Sequence, residues 1–212
     1  MKKIFKSYLL TQWLFLGLFI ENLMAKNGLI KTVDLYDITH IDGAENNPGL
    51  KQAFWFARAN DILTWPTLAT SPTTADEKMK YTGNFTMKSG KRFYKGYMTW
   101  NEGGLIWSVQ GPMDCKSYKH TLEIFRPGAD AEAMALLATI KNDNLVFIVE
   151  DRDDVKRVLG TEGISAKLDT SEGGTGKSAE DKKGDTMTFV SEGKTPPYIY
   201  AGAIPVTAAS GS

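Results

Sequence analysis

From residue 81 to residue 201 the chain is a succession of short runs rich in aromatic and β-branched side chains, each closed by glycine, proline or a polar pair. Only one stretch in it has helical spacing. Such punctuation predicts a mainly β protein: a β-sandwich or barrel flanked by one α-helix. Runs 81–88, 92–100 and 105–110, separated by Ser89-Gly90 and Glu102-Gly103-Gly104, read as successive antiparallel strands. In the second of them Tyr94, Gly96, Met98 and Trp100 alternate with Phe93, Lys95, Tyr97 and Thr99, so neither face is polar. That strand is expected to be covered on both sides, or to keep one face for a partner subunit.

Run 118–125 sets His120, Leu122 and Ile124 against Lys119, Thr121 and Glu123, and stops at Arg126-Pro127-Gly128. Residues 130–142 then carry Ala131, Met134, Ala135, Leu137, Ala138 and Ile140 at spacings that make an apolar helical stripe. LVFIVE at 145–150 is a near-continuous apolar run of the buried-strand kind, so the middle of the chain reads as a β-α-β unit. Further short strands are expected at 156–159, 165–169, 186–190 and 198–201. Upstream, 29–41 alternates loosely, as a strand or arm would, and 42–49 is a turn-rich loop. The aromatic-dense segment 52–65 has no clear period and runs into a polar loop at 67–77 marked by Pro66 and Pro72.

With 212 residues, 42% of them hydrophobic, the chain can bury a sizeable core, and its length fits a single β-rich domain over 24–212. Lys plus Arg equals Asp plus Glu at 25 each, which argues against a protein that grips nucleic acid through its phosphates. Cys115 is the lone cysteine, so an internal disulfide, a CxxC pair and a multi-cysteine zinc site are excluded. Residues 1–23 form a hydrophobic leader: Lys2, Lys3 and Lys6 precede the uncharged run 7–20, in the pattern of a signal peptide. The run is short for a membrane span, and cleavage after Ala25 would put the bulky Leu23 where a small residue is wanted. The second account is an upstream extension of a chain that starts at Met24. Without residues 1–23, which carry three lysines and one glutamate, 22 basic residues face 24 acidic ones.

Chemistry finds little foothold. Gly173-Gly174-Thr175-Gly176-Lys177-Ser178 ends like a phosphate-binding loop, but Ser171 stands where that loop wants glycine. The preceding run is short and polar, and no helix pattern follows. A loop or hairpin connection is the better reading. His40 and His120 are the two histidines, and His120 falls in a strand pattern as a packing residue. Glu150, Asp151, Asp153 and Asp154 lack the ordered ligand spacing of a calcium loop and read as a solvated turn. No Gly-x-Ser-x-Gly nucleophile elbow is present. No catalytic residue, cofactor or metal ligand is therefore assigned, and the chain is expected not to be an enzyme.

Segment 111–204 resembles the tail tube proteins (major tail proteins) of long-tailed bacteriophages. The resemblance lies in the order of parts: Gly111-Pro112-Met113-Asp114-Cys115-Lys116-Ser117-Tyr118, Leu122-Glu123-Ile124-Phe125-Arg126-Pro127-Gly128 and the alanine-rich helix. Asn144-Leu145-Val146-Phe147-Ile148-Val149, Arg157-Val158-Leu159-Gly160, Ala166-Lys167-Leu168, Gly174-Thr175-Gly176-Lys177 and Asp185-Thr186-Met187-Thr188-Phe189 follow. The leader departs from the family, whose subunits are made in the cytoplasm without a signal peptide. The resemblance implies a β-sandwich subunit that closes into rings, usually hexameric, stacked into a hollow tube, in a phage or prophage virion tail assembled in the host cytoplasm. The implied partners are the chain itself, a length-setting (tape-measure) protein and tail-terminator proteins, with transient, non-specific contact to DNA in the lumen and no stable membrane association. Long polar loops at 42–49, 67–77 and 171–185 would then be contacts between rings. The alternative takes the leader at face value: a secreted or periplasmic β-sandwich that binds a ligand or surface through exposed aromatics such as Trp100 and Trp107.

Overall fold

The computed structural model describes residues 35–209. Two compact units divide at Thr39/His40. Of the first, residues 35–39 are described; they have no regular secondary structure, and Leu35, Tyr36 and Ile38 are exposed. The hydrophobic leader 1–23 and the start at Met24 lie outside the described residues, as does the front of the strand or arm expected at 29–41.

The second unit is mainly β. Its elements are β1 (Leu50–Arg58), β2 (Ile62–Thr64), β3 (Thr67–Leu68), α1 (Ala75–Met79), β4 (Lys80–Thr82), β5 (Thr86–Met87), β6 (Tyr94–Tyr97), β7 (Gly103–Gln110) and β8 (Ser117–Pro127). After them come α2 (Ala131–Ile140), β9 (Leu145–Asp151), β10 (Lys156–Leu159), β11 (Lys167–Gly174), β12 (Gly184–Gly193) and β13 (Tyr198–Tyr200). A seven-stranded sheet runs β3-β4-β13-β10-β9-β1-β6, a four-stranded sheet runs β11-β12-β8-β7, and β2 pairs with β5. Pairing is antiparallel except between β13 and β4.

Strand β9 shows why the apolar run LVFIV has no polar face. Side chains alternate across a strand, and here both sides are covered. Leu145, Phe147 and Val149 enter a core shared with Leu122 and Ile124 of β8 and Met187 and Phe189 of β12. Val146 and Ile148 enter a second core with Phe85, Phe93, Val158 and Tyr200. The first core joins the two large sheets into a sandwich, with the rings of Phe147 and Phe189 4.4 Å apart. The second is closed by the small sheet and its flanking aromatics, where Tyr200 Oη accepts the Phe85 N–H at 3.2 Å and donates to the Ala203 carbonyl at 2.7 Å.

Helix α2 starts where Asp130 caps it by accepting the Ala133 N–H at 2.7 Å. Its core-facing stripe is Ala133, Leu136, Leu137 and Ile140, a strict i, i+3, i+4, i+7 set. This corrects the stripe read from the sequence, because Ala131, Met134, Ala135 and Ala138 point to solvent. Alanine is tolerated on either side of a helix, so an alanine-rich segment fixes its own rotation weakly.

Two further expectations are overturned. Runs 81–88, 92–100 and 105–110 are not paired with one another: β4 lies beside β3 and β13, β5 beside β2, β6 beside β1 and β7 beside β8. The first run is also broken at Gly83, which takes a positive φ of 84°. The β-α-β order expected in the middle is present as β8, α2 and β9, with β8 in the four-stranded sheet and β9 in the seven-stranded one. Finally, the polar loop at 67–77 holds β3 and the start of α1, whose first turn is capped by Thr74 accepting from the Glu77 N–H while the Glu77 carboxylate takes the Thr73 N–H at 2.8 Å.

Candidate interaction surface

Polar groups of the kind that do chemistry are scattered, and most are committed to partners, although one oxygen of the buried Asp185 carboxylate has none among the described residues. His120 and Ser191 stand opposite each other in the β8–β12 register, both buried, a proximity invisible in sequence. They are not joined: His120 Nε2 donates to the Thr195 carbonyl at 2.8 Å, and Ser191 Oγ donates to the Ile164 carbonyl at 3.4 Å. Without a nucleophile–base hydrogen bond or solvent access, the pair is packing.

Burial holds the His120 pKa below its ordinary value, with the Thr195 carbonyl opposing the shift. The unfolded chain therefore binds more protons in the window between the folded pKa and about 6.5. Stability from this group is complete above that window and is lost as pH falls through it. Denaturant titrations from pH 7.5 down to 5.5 are expected to show a falling midpoint, and a shallower fall in His120→Gln, whose amide can still donate to Thr195. An equal slope in the variant would assign the acid sensitivity to other groups.

The glycine-rich segment is a hairpin connection: β11 pairs along its length with β12, and residues 175–183 join them without a helix. The backbone N–H groups of Lys177 and Ser178, which a phosphate would need, both donate to Asp181 Oδ2, at 2.7 and 2.8 Å. Those two bonds also hold the Asp181 carboxyl below its usual range. Gly173 faces the Asp185 side chain, which fills the place a Cβ would take.

The acidic cluster is the β9–β10 turn. Lys51 bridges Glu150, at 2.8 Å, and Asp154. Asp151 accepts the Val155 N–H at 2.8 Å and meets the Arg157 guanidinium at 3.3 Å. Among the described residues no group of three or more His, Cys, Asp or Glu is arranged to hold a metal ion. His40 and Cys115 are both exposed, far apart in the chain and outside every strand.

Trp100 and Trp107 are 55% and 42% exposed, but each carries a guanidinium over its ring: Arg152 at 4.0 Å from Trp100, Arg157 at 5.5 Å from Trp107. Arg152 is further fixed by donating to Asn101 at 2.6 Å. A cation stacked on an aromatic face occupies the surface that a planar ligand would use.

What stands out instead is an edge. Strand β7 is eight residues long, GGLIWSVQ, and ends the four-stranded sheet. Its register with β8 runs without a bulge from Gly103↔Ile124 to Gln110↔Ser117. It contains no charge and no proline, the devices that normally blunt an edge, and leaves Ile106 and Val109 58% and 56% exposed. At the other end of the same sheet, β11 presents Lys167, Asp169, Thr170, Ser171 and Glu172, all exposed. The sheet face turned away from the core is rich in hydroxyls, from Ser108, Thr121, Thr186 and Thr188, and near neutral, with Glu123, Glu172 and Glu192 beside Lys119 and Lys167 and with Lys182 over the Phe125 ring. The edge went unnoticed in the sequence because run 105–110 gave no sign of which neighbours it would lack. No protein-family model, no curated protein and no solved structure matches this chain.

Proposed function

We propose that this protein is a structural subunit that self-assembles into rings stacked as a phage tail tube, a conduit for DNA passage. The observation that carries the reading is the bulge-free, uncharged edge of β7. A monomer that leaves eight residues of unblunted edge beside exposed Ile106 and Val109 is an aggregation hazard unless a defined partner covers them. A second copy can do so. The four-stranded sheet has two open ends, so β7 of one copy meeting β11 of the next is a head-to-tail contact that repeats, and a repeating contact closes into a ring when its rotation allows.

Sheets joined in that way make a continuous wall, and the hydroxyl-rich outer face with Glu123, Glu172 and Glu192 suits a lumen. DNA slides past a wall whose few lysines are matched by carboxylates, because little is gained there by exchanging phosphate counterions for ammonium groups. The resemblance of 111–204 to tail tube proteins points the same way. A length-setting protein inside the tube and capping proteins at its ends complete the proposed set of partners.

Negative-stain electron microscopy of the purified protein over a range of concentrations, with mass determination, tests the proposal. Rings or stacked tubes are the expected result. A particle of single-chain mass at the highest concentration would sink it.

A further inference from the structure

Strands β8 and β12 leave one charged pair unmade. Arg126 and Asp185 stand directly opposite each other in their register, on the inner face that also carries Ile124 and Met187. Opposed residues of an antiparallel pair lie side by side on one face, within reach of long side chains. Asp185 is 4% exposed, and its Oδ2 has no hydrogen-bond partner among the described residues. Nη1 of Arg126 is buried and unpartnered there as well. The guanidinium is turned the other way: Nη2 lies 3.4 Å from Asp130 Oδ1, the oxygen that caps α2 by accepting the Ala133 N–H.

A buried carboxylate with no cation beside it is costly, whereas an exposed ion pair contributes little. The Asp130 side chain is 61% exposed, so water satisfies it when the guanidinium leaves. Arg126 therefore has a second carboxylate to go to, and pairing a buried anion offsets what the exposed pair gives up. Gly173 holds the balance. It stands opposite Asp185 on β11, the far side of β12 from Arg126, and Asp185 Oδ1 occupies the place its Cβ would take. The missing side chain lets the carboxylate lean toward β11 and away from β8.

We infer that Arg126 is a two-position latch, paired with Asp130 at the head of α2 in one position and with Asp185 in the other. In the first, the guanidinium braces the cap of the helix. In the second, it ties β8 to β12 at the foot of the 175–183 connection, where Gly184 pairs with Pro127 and the Lys183 carbonyl accepts the Gly128 N–H at 3.0 Å. The connection and the helix cap thus share one guanidinium, and whatever draws Asp185 toward or away from β8 shifts both. The device belongs to the single chain and stands whether or not copies close into rings.

Melting curves of the full chain test the latch with Asp130→Ser, which keeps a capping hydroxyl for the Ala133 N–H, with Asp185→Leu, and with the two together. Each single variant leaves Arg126 one carboxylate and the double variant leaves it none. The double is therefore expected to lose about 3–6 °C in Tm beyond the sum of the single shifts, and that excess is expected to vanish when Arg126→Met is added to every member of the set. Additive shifts would overturn the inference. Nitrogen-15 NMR of the Arg126 guanidinium, assigned by its loss in Arg126→Met, reads the position itself and does not need Asp185→Leu to fold. Gly173→Ala, which pushes the carboxylate back toward β8, is expected to move the Arg126 Nε signal in the same direction as Asp130→Ser does. A signal that Gly173→Ala leaves in place, or moves the other way, would overturn the latch whatever the melts show.

Discussion

A chain carrying Ile106→Lys and Val109→Lys is expected to keep its fold and to remain at single-chain mass under the conditions where the proposed assembly has the natural sequence forming rings. The two positions lie on opposite faces of β7, so the substitutions place an ammonium group on each side of the same edge. Both side chains are more than half exposed in the single chain, so the folded subunit loses little by the exchange. The joint loses the burial of two branched side chains, about 1.5–3 kcal/mol each when fully covered. It also has to desolvate or displace two charges. Together these weaken association at each contact by upwards of about a hundredfold, and a closed ring multiplies the deficit over every joint. Sedimentation or light scattering reads the mass, and circular dichroism confirms that the variant is folded. Assembly undiminished in the double variant would show that β7 is not the joint, since no strand tolerates lysine on both faces of a buried pairing.

Phe147→Ala is expected to be the most damaging single truncation in the sandwich. The ring is 1% exposed and meets Phe54, Phe56 and Phe189 at centroid distances of 6.2, 6.1 and 4.4 Å, so it is the contact point of the two large sheets. Aromatic-to-alanine changes in such cores cost about 3–5 kcal/mol, because the lost transfer energy is joined by a cavity the surroundings fill only in part. For a domain of this size that corresponds to a fall in Tm of roughly 10 °C. Glu123→Ala, on the outer face of the same sandwich, is expected to leave Tm within about 1–2 °C. Calorimetry or a dye-binding melt of the three proteins checks the ordering, and a Phe147→Ala melt equal to that of Glu123→Ala would mean the two sheets do not depend on this packing.

Most elements were legible because each has its own local signal. Run 145–150 is β9 and 118–125 lies within β8; in each, apolar residues at nearly every position or every second position mark a strand by themselves, while 156–159, which is β10, carries only Leu159 and the β-branched Val158. The helix was legible from its spacing and from the stop at Pro127-Gly128 ahead of Asp130. Its rotation was not, because alanine contrasts too little with either environment. The candidate surface was hidden for a different reason: Ile106 and Val109 look like core residues in a list of letters. Only the folded sheet shows that Ile106 lies on its outward face and that β7 has no strand on its far side.

The amino-acid sequence alone thus determined the mainly β class, the single long helix, and the absence of charge along 103–110, since all of these follow from local composition and period. Tertiary structure decided which strands are neighbours. Runs 81–88, 92–100 and 105–110 go to different partners across three sheets, because a strand's hydrogen-bonding groups are the same in every register and accept whichever strand the two cores bring alongside. Tertiary structure also decided the fate of the polar motifs: the carboxylates of Glu150, Asp151 and Asp154 and the amides of 177–178 are met by Lys51, Arg157 and Asp181, and the short distances that satisfy them exist only in the folded chain.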